Sequence, residues 1–307
     1  MMVVEIKIEN IIIEPTNVCN AQCIFCPREQ YIHKLQHMPL ELFEKIINEV
    51  SGLGLKSVAF GGFGEPLCDP TLIKKIKYVK KINGNLKIFL TSTLSLLDEK
   101  LIDSLIENVD AVHVSFYGMA QKTYEKIHGG TLRFEKSREN VLCLVDRKKK
   151  LKAENSKIVM RYLINENNIG EMERFITFWE PMVDEVMVWR PHNYLYGRKY
   201  RDVDISKQES CGRPFSNALN FDIEGRVTVC CFDFNKELEI GNIKHQNIKE
   251  ILLGKRLENL KNLHGIHNYS ELVCKSCDQR IKSPDILVYS SNKNRSINTL
   301  NVSCQKY

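Results

Sequence analysis

No run of this 307-residue chain is apolar for long enough to span a bilayer, which takes about 20 residues in a helix. The apolar opening MMVVEIKIENIII is interrupted by Glu5, Lys7 and Glu9, so it reads neither as a span nor as a secretory signal. A helical membrane protein is thereby excluded, and a cytoplasmic address is expected. Charge of one sign is scarce too. With 44 basic and 38 acidic residues the net charge is +6, a mild pull on anionic molecules that does not mark a nucleic-acid-binding surface. The densest run, DRKKKLK from Asp146 to Lys152, follows a helical pattern and reads as its solvated end. What the chain has in excess is cysteine. Without a secretory signal, eleven cysteines point to metal or redox chemistry rather than to disulfides. They form two groups, 19/23/26 and 211/230/231/274/277, with Cys68, Cys143 and Cys304 apart.

Between the two groups, short β-rich runs alternate with longer runs of helical periodicity. NIIIEPT, SVAFGG, LKIFLTS, DAVHVSF, KIVMRYLI and DEVMVWR read as six strands. PLELFEKIINEVSGLG, between the first two, has apolar residues at helical spacing, opens on Pro39 and closes on Gly52 and Gly54. Repeated right-handed crossovers build a parallel sheet, and six units fall short of the eight that close a complete barrel. The expected fold class is α/β, a partial parallel (β/α)6 barrel; an open doubly wound sheet fits the same pattern. A small C-terminal domain follows, a hairpin plus helix, signalled by FDIEGRVTVCC and NIKEILLGKRLENLKNL. The expected boundaries are 1–205 for the barrel, 206–289 for the C-terminal domain and 290–307 for a weakly ordered tail. In either sheet, ligands gather beyond the carboxyl ends of the strands, where the first cysteine group falls.

The segment EPTNVCNAQCIFCPRE crowds Cys19, Cys23 and Cys26 into one loop. Three thiolates fill three corners of a metal site, and a structural zinc ion would draw its fourth ligand from elsewhere, such as His33 or His37. An iron-sulfur cube held by three cysteines instead leaves one iron without a protein ligand, open to a small molecule. CNAQCIFC is CxxxCxΦC with Phe25 as the aromatic, and it resembles the signature of the radical S-adenosylmethionine enzymes. The resemblance implies a 4Fe-4S cluster on Cys19, Cys23 and Cys26 whose open iron is chelated by S-adenosyl-L-methionine. One electron then splits the sulfonium, giving a 5′-deoxyadenosyl radical that abstracts hydrogen from substrate. FGGFGEPL, residues 60–67, is similar to the family's glycine-rich motif after the second strand. Gly61, Gly62 and Gly64 let the backbone approach a ligand, and Glu65 supplies a carboxylate for the ligand's ammonium. Where many relatives end the third strand in Thr-Asn-Gly, this chain has Thr91, Ser92 and Thr93, which receive no role. Ser115, in HVSFYG, matches the position that meets the cofactor ribose, and Arg161, in VMRYLI, suits a carboxylate. A polar residue at a strand end is the alternative for both.

Cys211, Cys230, Cys274 and Cys277 follow C-x18-C-x43-C-x2-C, enough thiolates for either zinc or an iron-sulfur cluster. Their surroundings, CGRPFSNALNFDIEGRVTVCCFDFNKELEIGNI and then CKSC, resemble the auxiliary-cluster module of the SPASM and twitch subfamilies. That module sets a glycine five positions before its second cysteine. Gly225 keeps this offset to Cys230, making Cys230 the expected ligand, and alternation along a strand turns Cys231 to the opposite face. A full SPASM module holds two auxiliary clusters, but after Cys277 only Cys304 remains. The shorter twitch form, with one auxiliary 4Fe-4S cluster, is therefore expected.

A cluster with four protein ligands has no open iron, which leaves electron transfer and shaping of the pocket as its uses. Loss of a proton and an electron from a carbon radical beside a hydroxyl or amine gives a carbonyl or imine. The expected reaction is thus a two-electron oxidation of a small molecule such as a sugar or aminocyclitol, with an electron donor such as flavodoxin or ferredoxin. A peptide maturase or epimerase is the second reading, and a zinc-stabilised binding protein the third. WRPHNYLYGR, residues 189–198, follows the sixth strand and offers Arg190, His192, Asn193 and Tyr194. His192 titrates in the range of a proton acceptor, a solvent-facing loop histidine being the alternative. No nucleic-acid or membrane partner is expected, and nothing in the sequence sets the oligomeric state. Metal analysis of protein purified without oxygen separates these classes: iron with sulfide is expected, whereas colourless protein carrying zinc alone would establish the third.

Overall fold

The computed structural model describes residues 6–200, 202, 209–280 and 286–292. Six strands, β1 (Asn10–Ile13), β2 (Ser57–Phe60), β3 (Lys87–Ser92), β4 (Ala111–Ser115), β5 (Lys157–Leu163) and β6 (Glu185–Trp189), pair in parallel and in chain order. Each lies within a run read as a strand from the sequence. β2, β4 and β6 are almost wholly buried, as strands covered on both faces must be. The crossovers hold α1 (Leu40–Ser51), α2 (Leu72–Ile82), α3 (Glu99–Asn108), α4 (Gln121–Ile127), α5 (Phe134–Leu151) and α6 (Met172–Trp179). α1 buries Leu42, Phe43, Ile46, Ile47 and Val50, a single stripe at helical spacing. Asp98 caps α3 by accepting from the Leu101 N–H at 2.9 Å. α5 stops at Lys152, which is left-handed at φ 52°, and its last basic turn is largely exposed, as expected. No helix among the described residues is long and apolar enough to cross a membrane.

The sheet runs on past the barrel at both edges. β7 (Ala218–Phe221) lies parallel to β1, with Asn220 opposite Ile12, and continues antiparallel into β8 (Arg226–Thr228) and β9 (Glu239–Asn242). β10 (Leu287–Ser290), which has no counterpart in the sequence pattern, pairs antiparallel with β6. The order is β10-β6-β5-β4-β3-β2-β1-β7-β8-β9, an open sheet that is the partial barrel with a hairpin module grafted onto its first strand. Gly225 turns this hairpin at φ +76°, and a Cβ there would lie 2.9 Å from Ile243 and 3.1 Å from Leu42 of α1. α7 (Ile248–Leu252), begun by an Asn247/Glu250 capping box, and α8 (Lys255–Gly265) complete the module. Most of the expected tail, 293–307 with Cys304, lies outside the described residues, as do 203–208 at the expected boundary.

Alternation along the strands gives the sheet two different faces. Ile11, Ile13, Val58, Ile88, Leu90 and Val112 join the main core. Their neighbours Ile12, Ala59, Phe89 and Ala111 form a separate apolar patch, in register from β1 to β4. A buried ion pair locks the segment after the glycine motif. Lys75 Nζ lies 2.6 Å from Asp69 Oδ2 and 2.6 Å from the Met38 carbonyl, and neither charged side chain is exposed. Asp69→Asn leaves a buried ammonium without its counter-charge and is expected to cost about 3–5 kcal/mol in urea unfolding. The double change Asp69→Asn with Lys75→Met should recover much of that loss; no difference between the single variant and the parent would show the pair to be dispensable.

Candidate cluster and cofactor site

The chain leaves β1 and enters the cysteine loop with its backbone clamped. The Asn17 amide donates to the Tyr31 hydroxyl and the Lys34 carbonyl, each at 2.8 Å, and its Oδ1 accepts from Gln36 N at 2.6 Å. Arg28 ties this loop to the glycine-rich segment, donating to the carbonyls of Asn17 at 3.0 Å and Phe63 at 2.6 Å. Gly64 lies so close that a Cβ would sit 2.1 Å from the Thr16 carbonyl oxygen, and the next residue, Glu65, donates its N–H to Val18 O at 2.9 Å. Cys19, Cys23 and Cys26 are thus brought together, partly buried. Burial raises all three thiols, and nearby thiolates raise Cys23 and Cys26 further; Cys26 reaches about 11 although the Arg28 guanidinium opposes the rise. His128, fully buried, places Nδ1 3.2 Å from Cys23 Sγ.

Glu65 is buried and held at both oxygens. Oε1 accepts from Ser92 Oγ at 2.6 Å and Leu67 N at 3.2 Å; Oε2 accepts from Thr93 N at 2.8 Å and Thr93 Oγ1 at 2.9 Å. Burial raises its carboxyl, and these donors work against the rise. From Thr93 the network returns to the cysteine loop through Ser95, whose hydroxyl is 2.9 Å from both Thr93 Oγ1 and Asn20 Nδ2. Ser92 and Thr93 received no role from the sequence because they depart from the family's Thr-Asn-Gly. The signal that remained was a pair of hydroxyls at the end of the strand beside the glycine motif.

Of the other expected cofactor residues, Phe25 borders one cavity, Gly62 and Arg161 border another, and Ser115 borders neither. Phe25 stands edge-on to Tyr117, ring centres 5.1 Å apart, and borders a cavity of about 530 Å3 with Asn165, Arg190 and Tyr200. Tyr200 donates its hydroxyl to the Phe25 carbonyl at 2.9 Å. Ser115 hydrogen-bonds the Tyr117 phenol. Arg161, opposite Ser115 across β4 and β5, and Gly62, at φ +140°, border a smaller cavity inside the barrel that also includes Glu14.

Cys211, Cys230, Cys274 and Cys277 converge at the other end of the site, three of them buried. Burial and the neighbouring thiolates lift the three buried thiols, Cys230 to about 11 and Cys277 to about 12, with Cys274 raised as well. Arg213, buried beside them, bonds Cys211 and stacks 4.9 Å over Phe232, setting a fixed positive charge against the thiolates. Arg280 donates to the carbonyls of Cys274 and Lys275 at 2.6 Å, bracing the CKSC turn. Cys231 stands apart from this set and borders the smaller cavity with Glu14 and Arg161. His192 belongs to this end: its ring centre is 4.4 Å from that of Phe232, and Gln279 Nε2 is 3.2 Å from its Nδ1. The Tyr194 ring centre lies 5.7 Å from that of Phe232 and 6.3 Å from that of Phe63, and its phenol is raised by burial and by the nearby Cys26, Tyr117 and Cys23. Among the described residues no three His, Cys, Asp or Glu side chains form a set that could hold a single metal ion. The fit to iron-sulfur clusters rests on donor chemistry: both groups offer only sulfur, each beside an arginine.

A partial parallel barrel with three thiols beyond its first strand and four on a module beside it defines an iron-sulfur enzyme acting with S-adenosylmethionine. Residues 13–178 match the radical SAM superfamily and residues 211–278 the SPASM iron-sulfur cluster-binding domain, so the chain belongs to the radical SAM superfamily. Its cofactors are S-adenosylmethionine and a 4Fe-4S cluster, and the second domain implies auxiliary iron-sulfur clusters. The chain is 25% identical to the GTP 3′,8-cyclase of Clostridium botulinum (strain Hall) over 250 residues, 79% of this chain and 75% of that protein. It is 30% identical to the probable GTP 3′,8-cyclase of Methanothermobacter marburgensis over 115 residues, 38% of this chain and only 37% of that relative. Its fold is similar to the crystal structure of BtrN in complex with AdoMet and 2-DOIA, with TM-score 0.61, 19% identity and coverage of 88% and 93% of the two chains. Streptococcus suis SuiB bound to precursor peptide SuiA is also similar, with TM-score 0.66, 13% identity and coverage of 89% and 70%. Gly64→Ala forces a Cβ against the Thr16 carbonyl and is expected to cost about 1–3 kcal/mol, with less iron bound after anaerobic reconstitution. Full iron loading with an unchanged melting temperature would show that the close approach is unnecessary.

Proposed function

We propose that this radical SAM enzyme oxidises a small molecule by two electrons, with Cys19, Cys23 and Cys26 holding the S-adenosylmethionine-binding cluster and Cys211, Cys230, Cys274 and Cys277 holding one auxiliary cluster. The observation that carries this reading is the division of the thiols into a three in the loop after β1 and a four beside Arg213. When bound, S-adenosylmethionine and its cluster supply a 5′-deoxyadenosyl radical able to take hydrogen from an unactivated carbon.

The chain's own residues prepare that chemistry. Glu65, immobilised by Ser92 and Thr93, offers a carboxylate to the cofactor's ammonium. Ser115, the last residue of β4, and Arg161, its partner on β5, offer a hydroxyl and a guanidinium to its ribose and carboxylate. Phe25 and Tyr200 border the larger cavity, which suits the adenine end. The apolar patch of Ile12, Ala59, Phe89 and Ala111 keeps water from the barrel interior, as a reactive radical requires. Arg213 offsets the charge of four thiolates, which favours a cluster able to accept an electron. His192, beside Gln279 at the auxiliary end, is the candidate acceptor for the substrate proton. Flavodoxin or ferredoxin suits the role of electron donor.

Reconstituted protein given S-adenosylmethionine and dithionite is expected to form 5′-deoxyadenosine. Replacing Cys19, Cys23 or Cys26 with Ala should abolish it, whereas Cys274→Ala should leave it detectable without substrate oxidation. Undiminished 5′-deoxyadenosine after the first three changes would refute the assignment.

A further inference from the structure

The cysteine loop is also clamped by the end of α4. Gln22 donates its N–H to the His128 carbonyl at 3.3 Å and Ile24 to that of Ile127 at 2.9 Å, so the backbone on either side of Cys23 is paired with this segment. Gly129, at φ +68°, comes so near that a Cβ would lie 2.2 Å from the Gln22 carbonyl oxygen. The Thr131 hydroxyl donates to the His128 carbonyl at 2.8 Å. The His128 ring, wholly buried, stacks on Tyr117 with ring centres 5.3 Å apart and 12° between the planes, and packs 4.3 Å from the ring centre of Tyr124. Backbone and rings together aim Nδ1 at Cys23 Sγ, 3.2 Å away.

Packing does not explain an imidazole at this position. Tyr124 continues into an aromatic cluster with Phe116 and Phe134, and a phenyl ring would pack there as well. Nε2 is buried with no partner among the described residues, which costs about 1–3 kcal/mol that a phenyl ring would not carry. What the imidazole gains is the contact at Nδ1. We propose that His128 is a positioning residue for the S-adenosylmethionine-binding cluster: its Nδ1–H donates to the Cys23 sulfur, orients that ligand and makes the cluster easier to reduce. This rests on Cys23 being one of the cluster's ligands, as proposed above. A thiolate bound to iron has no hydrogen to give, so of the two neutral tautomers only the one protonated at Nδ1 makes a bond. An incoming electron adds negative charge, part of it on the sulfurs, and a donor aimed at one of them stabilises the reduced state more than the oxidised one. Cys19 Sγ accepts as well, from Ala21 N at 3.4 Å, but that donor belongs to the backbone. His128 is a donor that one substitution removes.

The midpoint potential of cluster-loaded protein is measured by EPR-monitored titration, the signal that changes on adding S-adenosylmethionine being that of the three-cysteine cluster. His128→Phe keeps a ring and loses the donor; it is expected to shift the reduction equilibrium about ten-fold toward the oxidised state, about 59 mV downward for one electron. His128→Asn, whose amide nitrogen can take the place of Nδ1, should recover most of that shift. Wild-type protein carrying nitrogen-15 histidine is expected to show a nitrogen coupling to the reduced cluster by pulsed EPR, absent from His128→Asn. An unchanged potential in iron-loaded His128→Phe, or equal shifts in the two variants, would overturn the proposal. So would the lack of a coupling in wild-type protein, whatever iron the variants hold. Protein without any signal that responds to S-adenosylmethionine would refute the cluster assignment instead.

Discussion

The site depends on one close approach between two stretches of backbone. The cysteine loop after β1 and the glycine-rich segment after β2 touch where Gly64 meets Thr16, nearer than any side chain allows. Arg28 bridges the same two segments through the carbonyls of Asn17 and Phe63. Because β1 and β2 are neighbours in parallel register, both segments leave the sheet at the same edge and side by side. Three thiols and the Glu65 carboxylate are therefore set against one another by backbone geometry, with little left to side-chain freedom.

Sheet alternation separates stability from chemistry. Residues facing the helices make the main core, and those facing inward change character along each strand, from Ile12 to Glu14, from Ala59 to Gly61, from Phe89 to Thr91 and from Val159 to Arg161. The apolar positions Ile12, Ala59 and Phe89 join in one patch, and the positions two residues on bring Glu14, Thr91 and Arg161 to a cavity that Ile12 and Ala59 also border. Functional groups at the strand ends are thus obtained without breaking the apolar contacts that hold the strands together.

Much of this organisation was legible in the sequence because periodicity and spacing carry it. Six strands, the helices between most of them and the two thiol groups all follow from local pattern. Gly225, five residues before Cys230, marked the hairpin, and the structure shows why: its positive φ and its contact with Leu42 of α1 both require glycine. What stayed hidden depends on contacts distant in sequence. Ser92 and Thr93 acquire meaning only when β3 lies beside β2 and their hydroxyls reach Glu65. Glu14 was in plain view within EPTNVC, but only its place two residues after inward-facing Ile12 marks it as a buried acid. The short α4 and β10 went unread because too few residues carry their pattern.

The pairing of β7 with β1 has a mechanical consequence. A module joined to a barrel by a flexible linker could swing away to admit substrate, altering the gap across which electrons must jump. Here the hairpin shares four consecutive residue pairs with the barrel's first strand, the same strand that feeds the cysteine loop. Any hinge at this junction would have to tear a hydrogen-bonded ladder, so the hairpin and the cysteine loop are mounted on one plate.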